Sequence, residues 1–276
     1  MTKLILGILD CDDLSPALRG DYHCYTCMFK NMFAPFFQSS GSLKSFEIEY
    51  RRYDVQKGKL PTDLHECDAY LITGSKTGVY DDKPWILPLR QFIQNAYSQS
   101  IKLIGLCFGH QILADSLGGK AEKSDKGWGV GAMISQCVEQ AEWMTEKLDA
   151  LCLLYSHQDQ VTCLPPKAKV LYSSDFCPFA AFYIPDRVLA FQGHPEFTLD
   201  YCDRLMFIRQ ERYAEGQYKR AVKSLEQPLH SEVLARWILN FLYDDIALRN
   251  TLTLVKSSSA INDEWVDTLD ELSKLG

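Results

Sequence analysis

The segment Gly105-Leu106-Cys107-Phe108-Gly109-His110-Gln111 constrains this chain most, because it sets a cysteine on a tight turn between two regular elements. Upstream, Ile101, Leu103 and Ile104 read as the end of a buried strand. Downstream, His110 to Leu117 reads as a helix stopped by Gly118 and Gly119. A G-x-C-x-G sequence in that setting is the thiol form of a nucleophile elbow. The glycines permit a turn that holds the side chain up at the carboxyl edge of a sheet. The helix N-terminus there supplies positive potential and free N–H groups, which favour a thiolate and later an oxyanion. Ten cysteines occur in the chain, and most read as small buried hydrophobes. The elbow alone therefore leaves both readings of Cys107 open.

A thiol needs a base, and Gly193-His194-Pro195-Glu196-Phe197 supplies a candidate after the apolar run Val188-Leu189-Ala190-Phe191. Pro195 disfavours helical geometry at His194 and keeps it extended. In extended chain, residues two apart face the same side, so Glu196 can reach toward the His194 imidazole. Such a carboxylate fixes the ring tautomer and stabilises the imidazolium formed when His194 takes the Cys107 proton. His110, one turn into the helix after the elbow, reads as a packing or capping residue. His23, His65 and His230 read as exposed or satisfied.

These two motifs, GLCFGHQ followed 87 residues later by HPE, resemble those of the class I glutamine amidotransferases. Two further segments carry the likeness. Tyr70-Leu71-Ile72-Thr73-Gly74-Ser75 is a strand running into a Gly loop, and Tyr155-Ser156-His157-Gln158-Asp159-Gln160-Val161 is similar to the family's S-H-x-D-x-V segment. The resemblance spans about residues 1–245. It implies a flavodoxin-like three-layer α/β sandwich with a central, mostly parallel sheet and an antiparallel addition. It also implies a triad: Cys107 as nucleophile, His194 as base and acid, Glu196 as orienting carboxylate. The backbone N–H of Phe108, with one from Gly74 or Ser75, would hold the tetrahedral oxygen. Gln111 matches the glutamine whose side chain reads the amino-acid end of the substrate, and Ser156, His157 and Gln158 would border that end. No cofactor or metal is implied. Many members carry G-G-P in the oxyanion loop, whereas this chain has Gly74-Ser75-Lys76, which leaves open which N–H faces the substrate.

The rest of the chain fits that frame. With 276 residues, 46% of them hydrophobic, it can bury a substantial core in one large domain. A net charge of −7 argues against a nucleic-acid surface. No apolar run reaches the length of a membrane span, and Met1-Thr2-Lys3 leads straight into the strand Leu4–Leu9, without a signal peptide. The cysteines are scattered, so a reducing, cytoplasmic setting is expected. Strand-like runs include Leu4–Leu9, Phe46–Tyr53, Ala69–Thr73, Lys102–Leu106, Val130–Gln136, Lys169–Ser173, Phe179–Ile184 and Val188–Gln192. Helical patterns cover Cys24–Gln38, Lys83–Ser98, Gly109–Leu117, Asp200–Ala214 and Ser231–Leu248. The alternation reads as a sheet flanked by helices, with sites at the carboxyl ends of the strands. Residues 246–276 form a tail that is either a disordered end or, through Ile261, Trp265, Leu269 and Leu272, a short helix that docks on the body or on a second subunit.

Three other features have mundane readings. Cys24-Tyr25-Thr26-Cys27 lacks a second C-x-x-C and falls where a loop should enter the first helix. Asp10, Asp12 and Asp13 read as a helix cap or a solvated cluster. Gly127-Trp128-Gly129-Val130-Gly131 lacks the Lys-Ser/Thr ending of a phosphate loop, but Trp128 can close a pocket. The chemistry implied is attack on a γ-carboxamide, with a γ-glutamyl thioester as intermediate. No S-G-G-x-D-S pyrophosphatase loop or P-loop appears in the sequence. Two enzymatic readings follow: a stand-alone hydrolase of glutamine or another γ-glutamyl compound, or a glutaminase subunit feeding ammonia to a separate synthetase chain. A third reading, from another class, is a binding or regulatory module with a silent site.

Overall fold

The first strand shows why both faces of this sheet are covered. In β1 (Thr2–Asp10), Leu4, Leu6 and Ile8 pack into one core, while Leu9 and Ile5 belong to another. A strand with apolar residues at both parities has packing partners above and below, as parallel sheets require. In the computed structural model, which describes residues 2–38 and 46–243, the two cores lie on opposite faces of one nine-stranded sheet. After β1 come α1 (Pro16–Tyr22), α2 (Tyr25–Gln38), β2 (Phe46–Asp54), β3 (Ala69–Ile72), α3 (Ile86–Ser98), β4 (Lys102–Leu106) and α4 (Phe108–Ser116). Then follow β5 (Lys120–Lys123), β6 (Gly129–Cys137), β7 (Ala150–His157), β8 (Asp159–Cys163), β9 (Lys169–Ser173), β10 (Ala181–Ile184) and β11 (Val188–Phe191). Three helices close the described chain: α5 (Leu199–Arg209), α6 (Gln217–Ser224) and α7 (Ser231–Leu242).

Strand order is β2-β1-β3-β4-β11-β10-β9-β6-β7, with β5 and β8 paired as a separate ribbon. From β2 to β11 the pairings are parallel; from β11 to β7 they are antiparallel. One face is covered by α2, α5 and α7, through Phe29, Phe33, Tyr201, Trp237 and Ile238. The other is covered by α3 and α4, through Leu89, Ile93, Phe108 and Ile112. These are three layers, as the sequence implies, with a larger antiparallel share than "mostly parallel" conveys. No helix among the described residues is long and apolar enough to cross a membrane.

Register aligns the strand ends that matter. Ile72 pairs with Gly105, Gly105 with Ala190, and Leu106 with Phe191. The neighbouring strands β3, β4 and β11 therefore finish at one level, and the turns after them emerge side by side.

Several boundaries differ from the sequence reading. The helix expected over Asp200–Ala214 stops at Arg209 and passes into a 3-10 turn at Gln210–Arg212. The one expected over Ser231–Leu248 is helical to Leu242, where Tyr243 turns extended; residues 244–248 and the tail 246–276 lie outside the described residues. Cys24 does not enter the first helix: α1 precedes it. Both α1 and α6 escape periodicity analysis because each is short and fully buries one side chain, Leu18 in α1 and Ala221 in α6. The segment Tyr155–Val161, read as pocket lining, is also the end of one strand and the start of the next.

Candidate active site

The elbow forms as its sequence demands, though the strain falls on a different residue from the one expected. Cys107 itself takes the positive φ, 54° with ψ −104°, between β4 and α4. A non-glycine residue held there costs on the order of 1–3 kcal/mol, which surrounding contacts must offset. Cys107 N donates to Phe191 O at 2.9 Å, and Gln111 N to Cys107 O at 3.1 Å, fixing the turn to β11 and to α4. Gly109 serves close approach: a Cβ there would sit 2.2 Å from Ile72 O. The helix can thus begin directly over β3.

His194 leaves β11 extended, and its main-chain N–H donates to Leu154 O of β7 at 2.8 Å. Its ring lies flat on Phe197, 3.8 Å between centroids and 8° between planes, and Nδ1 is 2.7 Å from Glu196 Oε1. Phe197 rests in turn on Tyr201 of α5, so the imidazole sits on an aromatic stack rooted in the core. Burial disfavours a charged imidazole, yet the carboxylate of Glu196 and the sulfur of Cys107 outweigh it and push the His194 pKa up to about 10. At neutral pH the proton therefore belongs on the ring. The other carboxylate oxygen, Glu196 Oε2, is buried with no hydrogen-bond partner among the described residues.

The loop after β3 completes the cluster. A Cβ on Gly74 would come within 2.9 Å of His194 Cε1 and 3.6 Å of the Cys107 Cβ, so the backbone at Gly74 lies against both. The departure Gly74-Ser75-Lys76 has a structural counterpart. Asp12, buried after β1, accepts from Lys76 N at 3.1 Å and pairs with Lys76 Nζ at 2.8 Å. Thr77 N donates to Ser75 Oγ at 3.1 Å. With those two N–H groups spent, Gly74 and Ser75 carry the loop's candidate donors. Phe108 opens α4, where backbone N–H groups have no intrahelical acceptor.

Cys107 lies in the wall of a cavity of about 210 Å³ shared with Gly78, Tyr80, Gln111, Trp128, Ser156 and Asp159. Gln111 Nε2 donates to Asp159 O at 2.7 Å and to Gln192 Oε1 at 3.0 Å, so this side chain ties α4 to β8. The His157 ring is packed between Tyr155 and Phe176, with Nδ1 2.9 Å from Asp159 O; burial lowers its pKa to about 4, leaving it neutral. Ser156 and Gln158 reach the cavity, and Ser156 Oγ accepts from Arg209 Nη1 at 2.9 Å. Ser75 and Lys76 line it as well.

The family profile of class-I glutamine amidotransferases matches residues 37–210. A glutamine amidotransferase-like protein of Schizosaccharomyces pombe is 31% identical over 249 residues, covering 87% of this chain and 98% of its own. The chain belongs to the class I glutamine amidotransferase family. Gamma-glutamyl peptidase 2 of Arabidopsis thaliana is 27% identical over 220 residues, 73% of this chain and 87% of the relative. The crystal structure of a glutamine amidotransferase from Thermotoga maritima superposes with a TM-score of 0.64 at 19% identity, covering 91% of this chain and 98% of that one.

In this chain the residues brought together are Cys107, His194, Glu196, Phe108, Gly74 and Ser75, with Gln111, Ser156, His157 and Gln158 around the cavity. His110 is excluded from it: fully buried against Phe182, its pKa is driven down to about 3 by burial. His65 and His230 are satisfied, by Gln99 and by the Cys152 N–H. The aspartates after β1 go three ways, Asp10 to Arg52 and Thr26, Asp12 to Lys76, Asp13 to Arg19. None of the three caps a helix. Arg209, Arg212, Lys123 and Tyr80, all in the cavity wall, escaped the sequence reading. The signal for Arg209 and Arg212 was present, as cations one turn apart past the H-P-E motif, but only the fold turns them inward.

Proposed function

We propose that the chain hydrolyses a γ-glutamyl amide bond. The observation carrying this reading is that the Gly74 backbone lies against both His194 and Cys107, that His194 is held by Glu196, and that Cys107 opens onto the cavity. The Cys107 sulfur, its proton on His194, attacks the γ-carbonyl carbon. Negative charge on the tetrahedral oxygen falls to the N–H of Phe108 with that of Gly74 or Ser75, donors worth about 3 kcal/mol each in comparable sites. Collapse breaks the C–N bond, and His194 gives its proton to the leaving amine. A γ-glutamyl thioester on Cys107 remains. Water enters, His194 takes one of its protons, the C–S bond breaks, and glutamate leaves with the thiolate restored. Glu196 holds the ring through both half-reactions.

The cavity wall supports a zwitterionic or acidic substrate. Arg209, Arg212 and Lys123 face it with no acidic partner in a salt bridge among the described residues, in a chain of net charge −7. In the same wall, Tyr80 donates to Asp159 Oδ1 at 3.0 Å, and Asp159 offers a carboxylate for an ammonium. Such a division suits the α-amino acid end of a glutamyl group.

The test is steady-state assay of the isolated chain with glutamine, γ-glutamyl amides and γ-glutamyl peptides, alongside labelling by a glutamine-mimicking electrophile. Glutamate release without any added chain, with the label on Cys107, is the expected result. Labelling without turnover would favour a glutaminase subunit that acts with a synthetase partner. An unlabelled Cys107 amid reactive neighbouring thiols would overturn the enzymatic reading in favour of a silent module.

A further inference from the structure

The pair Cys24 and Cys27 lies outside the cavity, and nothing in the proposed reaction uses it. It sits in a tight connection between α1 and α2: His23 takes a positive φ of 60°, and Cys24 N donates back to Tyr22 O at 2.7 Å. Cys24 then caps α2. Its carbonyl accepts from Cys27 N at 3.0 Å and from Met28 N at 3.2 Å, and its sulfur accepts from Cys27 N at 3.3 Å. That is the acceptor position usually held by a Ser or Asp oxygen. A capping sulfur needs no second thiol, yet Cys27 Sγ lies 2.7 Å from Cys24 Sγ. Both are half-buried, in contact with solvent, whereas Cys11, Cys67, Cys107, Cys152, Cys177 and Cys202 are buried. A bonded pair of sulfurs lies about 2.05 Å apart, so closure needs a shift well under the width of an atom.

We propose that Cys24 and Cys27 are a reversible dithiol–disulfide site that exchanges with low-molecular-weight disulfides. The thiolate of one cysteine attacks a sulfur of the small disulfide, forming a mixed disulfide and releasing one small thiolate. The neighbouring thiolate attacks the protein sulfur of that mixed disulfide, closes Cys24–Cys27 and releases the second. Two protein thiols are oxidised, and one small disulfide is reduced to two thiols. Burial, and then the hydrogen bond that the Cys24 thiol gives to Cys27, raise the Cys24 pKa to about 11, so Cys24 holds its proton at neutral pH and exchange through it is slow rather than absent. The site adjoins the amidotransferase machinery without belonging to it. Thr26, between the two cysteines, hydrogen-bonds both Asp10 oxygens at 3.3 Å, and Asp12, two residues on, holds Lys76 of the Gly74 loop.

The experiment equilibrates the full chain in glutathione buffers of rising disulfide fraction, quenches in acid, alkylates, and maps tryptic peptides. Cys24 and Cys27 fall in one peptide, residues 20–30. Their alkylation should disappear together, leaving that peptide lighter by two hydrogens and restored by dithiothreitol. Exposed Cys163, with no neighbouring thiol described, should instead carry a glutathione adduct in the same samples. In Cys24→Ser or Cys27→Ser the remaining thiol has lost its resolving partner, and at least one of these variants should accumulate an adduct that the parent chain does not. Two alkylatable thiols in a buffer that modifies Cys163, a lasting adduct at Cys24 or Cys27 in the parent chain, or no adduct in either variant would each overturn the proposal.

Discussion

The parallel and antiparallel halves of the sheet divide the labour of the site differently. On the parallel side, β3, β4 and β11 end level, and the turns that follow them deliver Gly74, Cys107 and His194 within a few residues of each strand end. On the antiparallel side, the cavity wall comes from separate places: Trp128 before β6, Ser156 to Asp159 across the end of β7 and the start of β8, Lys123 from β5, and Arg209 from α5. The two halves meet where His194 N donates to Leu154 O. The groups proposed to react are thus placed by local turns on a rigid edge. The groups proposed to recognise substrate are placed by contacts between segments far apart in the chain, such as Arg209 with Ser156. Damage to the first half should strike kcat, and damage to the second should strike KM.

The largest break in that comparison is Cys107→Ala. Removing the sulfur deletes the thioester route, and turnover should fall by about 10⁴-fold or more. The buried turn keeps its hydrogen bonds to Phe191 and Gln111, so thermal unfolding should remain cooperative and near the parent midpoint. Retained turnover would remove Cys107 from the chemistry. A collapsed fold would mean that the residue is there for packing.

Gly74→Ala comes next. The added methyl would press on His194 Cε1 at 2.9 Å and approach the Cys107 Cβ at 3.6 Å, so ring and loop must separate. A misplacement of that size should lower kcat by about 10²-fold, with a small change in KM. Equal losses in kcat and in glutamyl binding would show that the parallel-side turn also reads the substrate, and the division proposed here would blur.

Glu196→Gln tests the electrostatics of the same half. The carboxylate helps hold the His194 pKa near 10 against burial, from an ordinary value of 6.5. The protonated ring contributes stability that is fully present below pH 6.5 and is lost as pH rises through about 10. The amide keeps the shape and removes the charge, so the pKa should fall. The alkaline limb of kcat/KM should then move to lower pH, and activity near neutrality should drop about 10²-fold. An unmoved alkaline limb would show that the proton is held by something other than Glu196.

What could be read in the sequence follows the same division. Cys107, His194 and Glu196 were legible because each lies in a short motif whose geometry is set by its immediate neighbours. Pro195 keeps His194 extended, and α4 starts at Phe108. The Gly74 loop was legible as a strand running into glycine, but the fate of Lys76 was not. Its partner Asp12 is 64 residues away in sequence and had looked like part of a solvated acidic cluster. The elbow glycines were assigned the turn, whereas Cys107 carries the positive φ and Gly109 makes room for the helix. Strands β5, β7 and β8 carried too little alternation to separate from loop or core. The cationic wall was hidden for a physical reason: an arginine on a polar helix face looks solvated until the fold supplies the cavity it borders.

Arg209→Met is the mildest test and the one that speaks to the antiparallel half alone. Its guanidinium reaches the cavity from the last turn of α5, donating to Ser156 Oγ at 2.9 Å, while Cys107 and His194 are fixed by β4, β11 and the Phe197 stack. Methionine keeps most of the apolar stem and removes the charge and its donors. If Arg209 meets the α-carboxylate of the glutamyl group, KM should rise about 10-fold, the loss of one charge-assisted hydrogen bond, and kcat should hardly move. A γ-amide substrate lacking the α-carboxylate then supplies the second arm. The parent chain should use it poorly, and the variant should use it no worse than the parent, because the partner of the missing carboxylate is already gone. Loss of kcat for both substrates would instead place Arg209 with the reacting groups and erase the boundary between the two halves. Equal KM increases for both would leave Arg209 holding the β7–β8 turn in place, a structural part that Arg209→Lys should restore.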